Sequence, residues 1–316
     1  MKTTVIKDTM TPLERMNAML EGRSFDRYPS CPSISEQKHT LLGISTWDFW
    51  HDPVKMAKTE IYAFQRFGYD KITIGPNTRG ITEALGGTFL YPEHSTPYVE
   101  TPFLNDYRQL ADMEPVNAMT HSRMEAFSKE AEILQKELGG VIQLSSHIGG
   151  PFTIASNLRG IERFLRDCRK CPDHVKKLLR IITDSQKSCI DWAAHYNLAV
   201  CMADPVAIPD LIGPKMYEEF VYPITKELIE YTYQKTGMKA FLHMCGNTRS
   251  IWKYFKTYPL FALSLDNVID LKEAVDEMGG DFIITGNVDP VNIVLNGSKE
   301  IIFNEIKRVI NIGRTS

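Results

Sequence analysis

Phe241-Leu242-His243-Met244-Cys245-Gly246-Asn247-Thr248 reads as the end of a buried strand, a glycine break and the start of a helix. Gly246 stops the extended run, and Asn247 or Thr248 can cap the helix that follows. Side chains alternate along a strand, so His243 and Cys245 point to the same face. An imidazole and a thiolate side by side at a strand end suit zinc, as metal ligands and as the centre of any catalysis. A catalytic zinc normally takes three protein ligands, so the pair asks for a third elsewhere.

The same strand-then-helix rhythm runs outward from this stretch. On its amino-terminal side, Ser122 to Leu138 is an amphipathic helix closed by Gly139-Gly140, and Val141 to Ser145 is a strand. Pro172-Asp173 opens a long helix to Tyr196, followed by the strand Leu198 to Met202. Pro214 opens another helix, which Pro223 kinks or divides, and the strand Lys239 to His243 follows. On the carboxyl side come a helix from Asn247 to Tyr258, a strand Phe261 to Leu265, a helix Leu271 to Met278, a strand Asp281 to Thr285 and a helix Ser298 to Ile312. Nearer the start, Thr11 to Gly22 is helical, a first strand is expected at Cys31 to Ser35, and Asp52-Pro53 opens a helix that stops at Gly68. Lys71 to Gly75 is the next strand. Residues 76 to 120 are turn-rich and read as an excursion, with a hairpin over one end of the fold.

Short apolar strands alternating with helices imply parallel pairing with helical crossovers. Seven strands are expected, and polar residues follow several of them: Asn77, His147, Asp204, His243, Asp266 and Asn287. Polar groups gathered at the carboxyl ends of parallel strands are what a (β/α)8 TIM barrel provides. A doubly wound open sheet is the competing architecture, but the chain has no glycine-rich phosphate turn after its first strand.

Composition narrows the function classes. With 316 residues, 43% apolar and 24% charged, the chain can bury a sizeable core. A formal charge of −3 gives no electrostatic case for nucleic acid or anionic membrane surfaces. There is no leader pattern at Met1 and no apolar run of about 18 residues, so a cytoplasmic location is expected. The six cysteines (Cys31, Cys168, Cys171, Cys189, Cys201, Cys245) lack disulfide-framework spacing and read as reduced thiols, most of them small buried hydrophobes. Cys168 and Cys171 form a lone CxxC at a helix end. If Asp204 marks the pocket face of its strand, Met202 shares that face and Cys201 points away from it. The aromatic group Trp47, Phe49 and Trp50 reads as core.

Several motifs together resemble the uroporphyrinogen decarboxylase superfamily, nearly end to end. They are Glu14-Arg15 with Glu21-Gly22, Asp26-Arg27-Tyr28-Pro29, Glu83-Ala84-Leu85-Gly86, Gly150-Pro151-Phe152-Thr153, Ala203-Asp204-Pro205 and Gly286-Asn287-Val288-Asp289-Pro290. Within it, His243-Met-Cys245-Gly-Asn-Thr resembles the zinc motif of the corrinoid-dependent methyltransferases, those of the methylcobamide:coenzyme M type above all. The resemblance implies one TIM-barrel domain over residues 1–316, with a pocket at its carboxyl face. It also implies zinc, methylcobamide on a partner corrinoid protein, and a small-molecule methyl donor or acceptor. Asn77, His147, Asp204, Asp266 and Asn287 are the candidate substrate-binding residues. For Asp204 and Asp266 a helix-capping role stands equally open, for Asn287 a turn-holding one, and for His147 a structural one.

Two departures from the family pattern matter. The decarboxylases carry an arginine-rich motif after the first strand, whereas Cys31 to His39 here contains none; their pyrrole-binding aspartate falls on Asn77 and a family tyrosine on Asn157. An asparagine offers no anionic charge to a developing pyrrole cation, so decarboxylation does not fit. The family's third zinc ligand, a cysteine after the eighth strand, is expected beyond Ser316, which makes the expected fold a barrel without its eighth strand and last helix. The leading expectation is a zinc-dependent methyltransferase acting on a thiol such as coenzyme M. The alternatives are a corrinoid-dependent O-demethylase using a methoxy or methanol-like donor, and a non-catalytic corrinoid-binding paralogue.

Overall fold

The structure, a computed structural model, describes residues 8–313 except 33, 35, 94 and 281. In chain order its strands are β1 (Lys71–Ile74), β2 (Phe89–Leu90), β3 (Tyr98–Val99), β4 (Gln143–Gly149), β5 (Ala199–Ala203), β6 (Ala240–Met244), β7 (Leu260–Leu265) and β8 (Ile283–Thr285). Six of them form one parallel sheet in the order β1-β4-β5-β6-β7-β8, and β2 and β3 pair as a separate antiparallel hairpin. The expected excursion between residues 76 and 120 is this hairpin, preceded by a helix, Asn77–Ala84, that the turn-rich composition concealed.

Each parallel step requires a crossover, and the helices supply it. Pro53–Phe67 begins where the Asp52 side chain accepts from the amides of Val54 and Lys55, and it ends at Gly68 with φ 60°. Pro172–His195 buries Val175, Leu178, Leu179, Ile182, Gln186, Cys189 and Ala193, a stripe at helical spacing whose Gln186 reaches the Gly149 carbonyl of β4, while Arg180, Lys187 and Asp191 meet the neighbouring helix Tyr222–Thr236. Pro223 lies in the first turn of that second helix. The preceding helix, Pro209–Met216, starts earlier than Pro214 and bends at Gly213, where φ is 73°.

Strand β6 shows the layering directly. Ala240, Leu242 and Met244 are buried on the helix side, while Phe241 and His243 are half-buried on the other face. Lys71 on β1 touches Cys201 on β5 and the Phe241 ring on β6, two and three strands away. Only a side chain crossing the concave face can do this, so that face is the barrel lumen.

The structure corrects several expectations. No strand forms at Cys31–Ser35 among the described residues; the Ser30 carbonyl accepts instead from the Asp70 amide, and Pro32 has no N–H to give a ladder. Residues 33 and 35 of that expected strand lie outside the described residues, and among the described ones the sheet has six strands rather than seven, with β1 the first. The helix expected over Asn247–Tyr258 is a 3-10 turn, Arg249–Ile251, and a single helical turn, Trp252–Phe255. Helices Pro151–Arg159 and Ile161–Lys170 add to the expected set. Phe49 and Trp50 are in the core as expected, but Trp47 is 55% exposed and stacks on His51 at 3.7 Å.

Candidate active site

Register across the sheet arranges the lumen in layers. Cys201 pairs with His147 on one side and with Phe241 on the other, and Phe241 is level with Ala262. The next layer toward the carboxyl ends holds Gly149, Ala203, His243, Ser264 and Thr285 in register. His243 is the one large side chain in that row, and Thr78 packs directly against Gly149.

The His243 imidazole uses both nitrogens. Nδ1 lies 3.0 Å from Ser264 Oγ, and Nε2 lies 3.2 Å from Cys245 Sγ. Tetrahedral zinc with Zn–N near 2.0 Å and Zn–S near 2.3 Å would hold these atoms about 3.5 Å apart. Nitrogen and sulfur thus converge at nearly the spacing one ion requires, and the Ser264 contact fixes the ring, as an outer-shell partner of a ligating histidine does. Desolvation lowers the His243 pKa, which favours the neutral ring, against the charge of Asp266. Burial and that same carboxylate raise the pKa of the Cys245 thiol. No group of three histidine, cysteine, aspartate or glutamate side chains is poised for a metal among the described residues.

The loop after Cys245 is held from two sides. Gly246 has φ 67°, a conformation that favours glycine. Its amide donates to Asp266 Oδ2 at 2.8 Å, and the Asn247 amide donates to Asp210 Oδ2 at 2.8 Å. Asp266 therefore stands beside the His243–Cys245 pair and anchors its loop.

The other expected site residues divide. His147 faces the lumen one layer below His243. It has no hydrogen-bond partner for its ring among the described residues, and it is deeply set although one edge meets solvent. Desolvation pushes its pKa down to about 4, and the charges of Lys71, His243 and Arg79 push the same way. Asp204 is 4% exposed and its oxygens are spent on a helix start: Phe152 and Thr153 amides donate at 3.0 and 2.8 Å, and Thr153 Oγ1 at 2.5 Å. Desolvation outweighs those bonds and raises its pKa to about 6. Asn77 Oδ1 accepts from the Arg79 amide at 2.8 Å and so caps its own helix. Asn287 donates to the carbonyls of Asp266 and Ile269 at 3.0 and 2.7 Å, holding the turn after β7.

Two residues of the lumen were not read as such from the sequence. Cys201 was placed pointing away from the pocket, and its register with Phe241 and its contact with Lys71 put it inside. Lys71 Nζ lies 2.7 Å from Cys201 Sγ and 4.1 Å from the centroid of Phe241. Alternation of β1 would have found it, since Lys71 and Thr73 share a face and Thr73 Oγ1 meets Ser145 Oγ at 2.8 Å.

The family model for uroporphyrinogen decarboxylase matches residues 11–316. The chain belongs to the uroporphyrinogen decarboxylase family. Similar proteins include the methylcobamide:coenzyme M methyltransferase MtbA of Methanosarcina mazei, 24% identical, with 96% of this chain and 90% of that protein covered. The uroporphyrinogen decarboxylase of Rickettsia africae is also 24% identical, with 97% of this chain and 88% of that one covered. A solved methyltransferase from Methanosarcina mazei superposes with a TM-score of 0.85 at 21% identity, covering 96% of this chain and 90% of its own. The fold is thus the family's TIM-like barrel, and the motif resemblance read from the sequence holds over the whole match. No helix among the described residues is long and apolar enough to cross a membrane.

Proposed function

We propose that the protein is a corrinoid-dependent methyltransferase that moves a methyl group between a corrinoid protein and a small thiol of the coenzyme M kind. One observation carries this reading: His243 Nε2 and Cys245 Sγ converge at the carboxyl end of β6, with the ring held by Ser264. Similarity to relatives named for methyl transfer from methylcobamide to coenzyme M supports it. A decarboxylase needs an anion where Asn77 stands, and its amide is committed to capping.

Zinc fits the pair, and His243 and Cys245 would be two of its ligands. When bound it supplies the positive charge that keeps an acceptor thiol deprotonated near neutral pH. The protein's own residues do the rest. Ser264 orients the imidazole, and Ala203 and Thr285, both small, share the row of His243. Asp266 and Asp210 hold the Cys245–Asn247 loop, so the sulfur stays in place. The corrinoid would supply the methyl group, and for a displacement by a held thiolate positioning would supply much of the acceleration. The carboxyl face of the barrel, in one domain over residues 1–316, is where the corrinoid protein docks.

The test is metal content beside activity. Purified protein is expected to hold zinc and to methylate coenzyme M from a methylated corrinoid protein; His243→Ala and Cys245→Ala are each expected to lose the metal and at least about a hundredfold in rate, with the fold retained. A folded wild type without zinc or transfer would instead favour a corrinoid-binding role.

A further inference from the structure

Lys71 is the feature of the lumen that the metal pair does not use. Its ammonium is half-buried inside the barrel, against one thiol and one aromatic face. Among the described residues no carboxylate lies within ion-pairing distance of it. The adjacent acid is unavailable, because Asp70 is bound by Arg15 and Arg27 on the other side of the strand start. A cation drawn out of water without a counter-charge is costly, and a thiol and a ring offset only part of that cost. Nearby His147 is held neutral by its surroundings and brings no negative charge.

We propose that Lys71 binds the anionic end of the small substrate, so that the lumen selects a short thiol carrying a sulfonate or carboxylate. This rests on the methyltransferase reading for the thiol end only. Lys71 Nζ stands level with Phe241, and His243 is the next lumen-facing residue of the same strand, about 6.6 Å farther along. A sulfur and an anionic oxygen separated by two carbons span roughly 5 Å. Such a molecule, hydrogen-bonded to Nζ, brings its sulfur to the His243–Cys245 pair. The Phe241 ring and the Cys201 thiol, 4.1 and 2.7 Å from Nζ, fix where the ammonium stands.

Two measurements test this, and one needs neither metal nor corrinoid. Calorimetric titration of the full chain with ethanesulfonate is expected to show binding that Lys71→Met weakens roughly tenfold to a hundredfold, the effect of losing a charge-assisted hydrogen bond. Lys71→Gln takes its place if the Met variant loses its cooperative unfolding transition. In methyl transfer, the wild type is expected to prefer 2-mercaptoethanesulfonate over 2-mercaptoethanol in kcat/KM, and Lys71→Met to erase that preference by raising KM. No ethanesulfonate binding by the wild type, or equal binding by both proteins, overturns the proposal whatever the activity. Binding lost in Lys71→Met without transfer to either thiol upholds the anion site and removes the methyl-transfer reading.

Discussion

At the scale of single residues, His243 is a side chain whose two nitrogens have separate duties, one toward Ser264 and one toward Cys245. Ser264→Ala deletes the first without touching the second. It is expected to weaken zinc affinity by about 10–100-fold while leaving the stoichiometry unchanged, as read by competition with a chromophoric chelator. The pairing of His243 with Cys245 was legible from their spacing, but Cys245 lies one residue past the end of β6 at Met244, and it is the Nε2–Sγ contact that brings the two side chains together. Cys201 was misread for an equally simple reason. Its orientation was reckoned from Asp204, which lies past the end of β5 at Ala203, where alternation no longer governs. Ser264 carried no signal of its own in the sequence, since its role depends on the register between β6 and β7.

Among the elements, the helix Pro151–Arg159 shows how a strand end and a helix start are joined. Asp204, just after β5, caps it, and a Cβ on Gly150 would overlap the Asp204 side chain, so only glycine lets the two approach. Asp204→Asn keeps the shape but turns one acceptor into a donor. It is expected to cost about 1–3 kcal/mol in urea unfolding at pH 7. The pH dependence identifies the cause. The carboxyl has a pKa of about 6 in the folded chain against the ordinary aspartate value of 3.8, so the fold binds the proton more tightly. Stability from this group rises as pH falls from about 6 toward 4, and that rise is expected to vanish in the variant. His147, whose folded pKa is lowered to about 4, contributes the opposite slope. It does so in both proteins, and their difference isolates Asp204. This helix was not anticipated because Phe152, Ile154, Ala155, Ser156 and Leu158 are all buried, leaving no polar stripe to mark a helical period. The strands from Lys71 onward were anticipated, each being a short apolar run with a turn signal behind it.

For the molecule as a whole, the alternation of strands and helices was enough to imply a parallel barrel-like fold with polar groups at one end. What alternation missed is how the amino-terminal segment joins it. In place of a first strand, a buried ion cluster makes the connection. Arg15, 0% exposed, donates to Asp26 at 2.6 Å, to the Met10 carbonyl at 2.8 Å and to Asp70, while Arg27 reaches Asp70 at 2.6 Å and Asp8 at 2.9 Å. Arg15→Met leaves the Asp70 carboxylate with only Arg27 and the Ser30 amide and is expected to cost about 3–5 kcal/mol, measured by chemical denaturation. Arg15 also lowers the pKa of Asp26, so the cluster's contribution is present above the ordinary aspartate range and is lost as pH falls below it. The cluster has a consequence beyond stability. It grips Asp70, the residue before β1, and so decides which of two neighbours of opposite sign turns inward. A shift of one residue in β1 would carry a carboxylate into the lumen in place of the ammonium. The polarity of the barrel, and with it the sign of ion it admits, is therefore set by how an arginine outside the sheet phases a single strand.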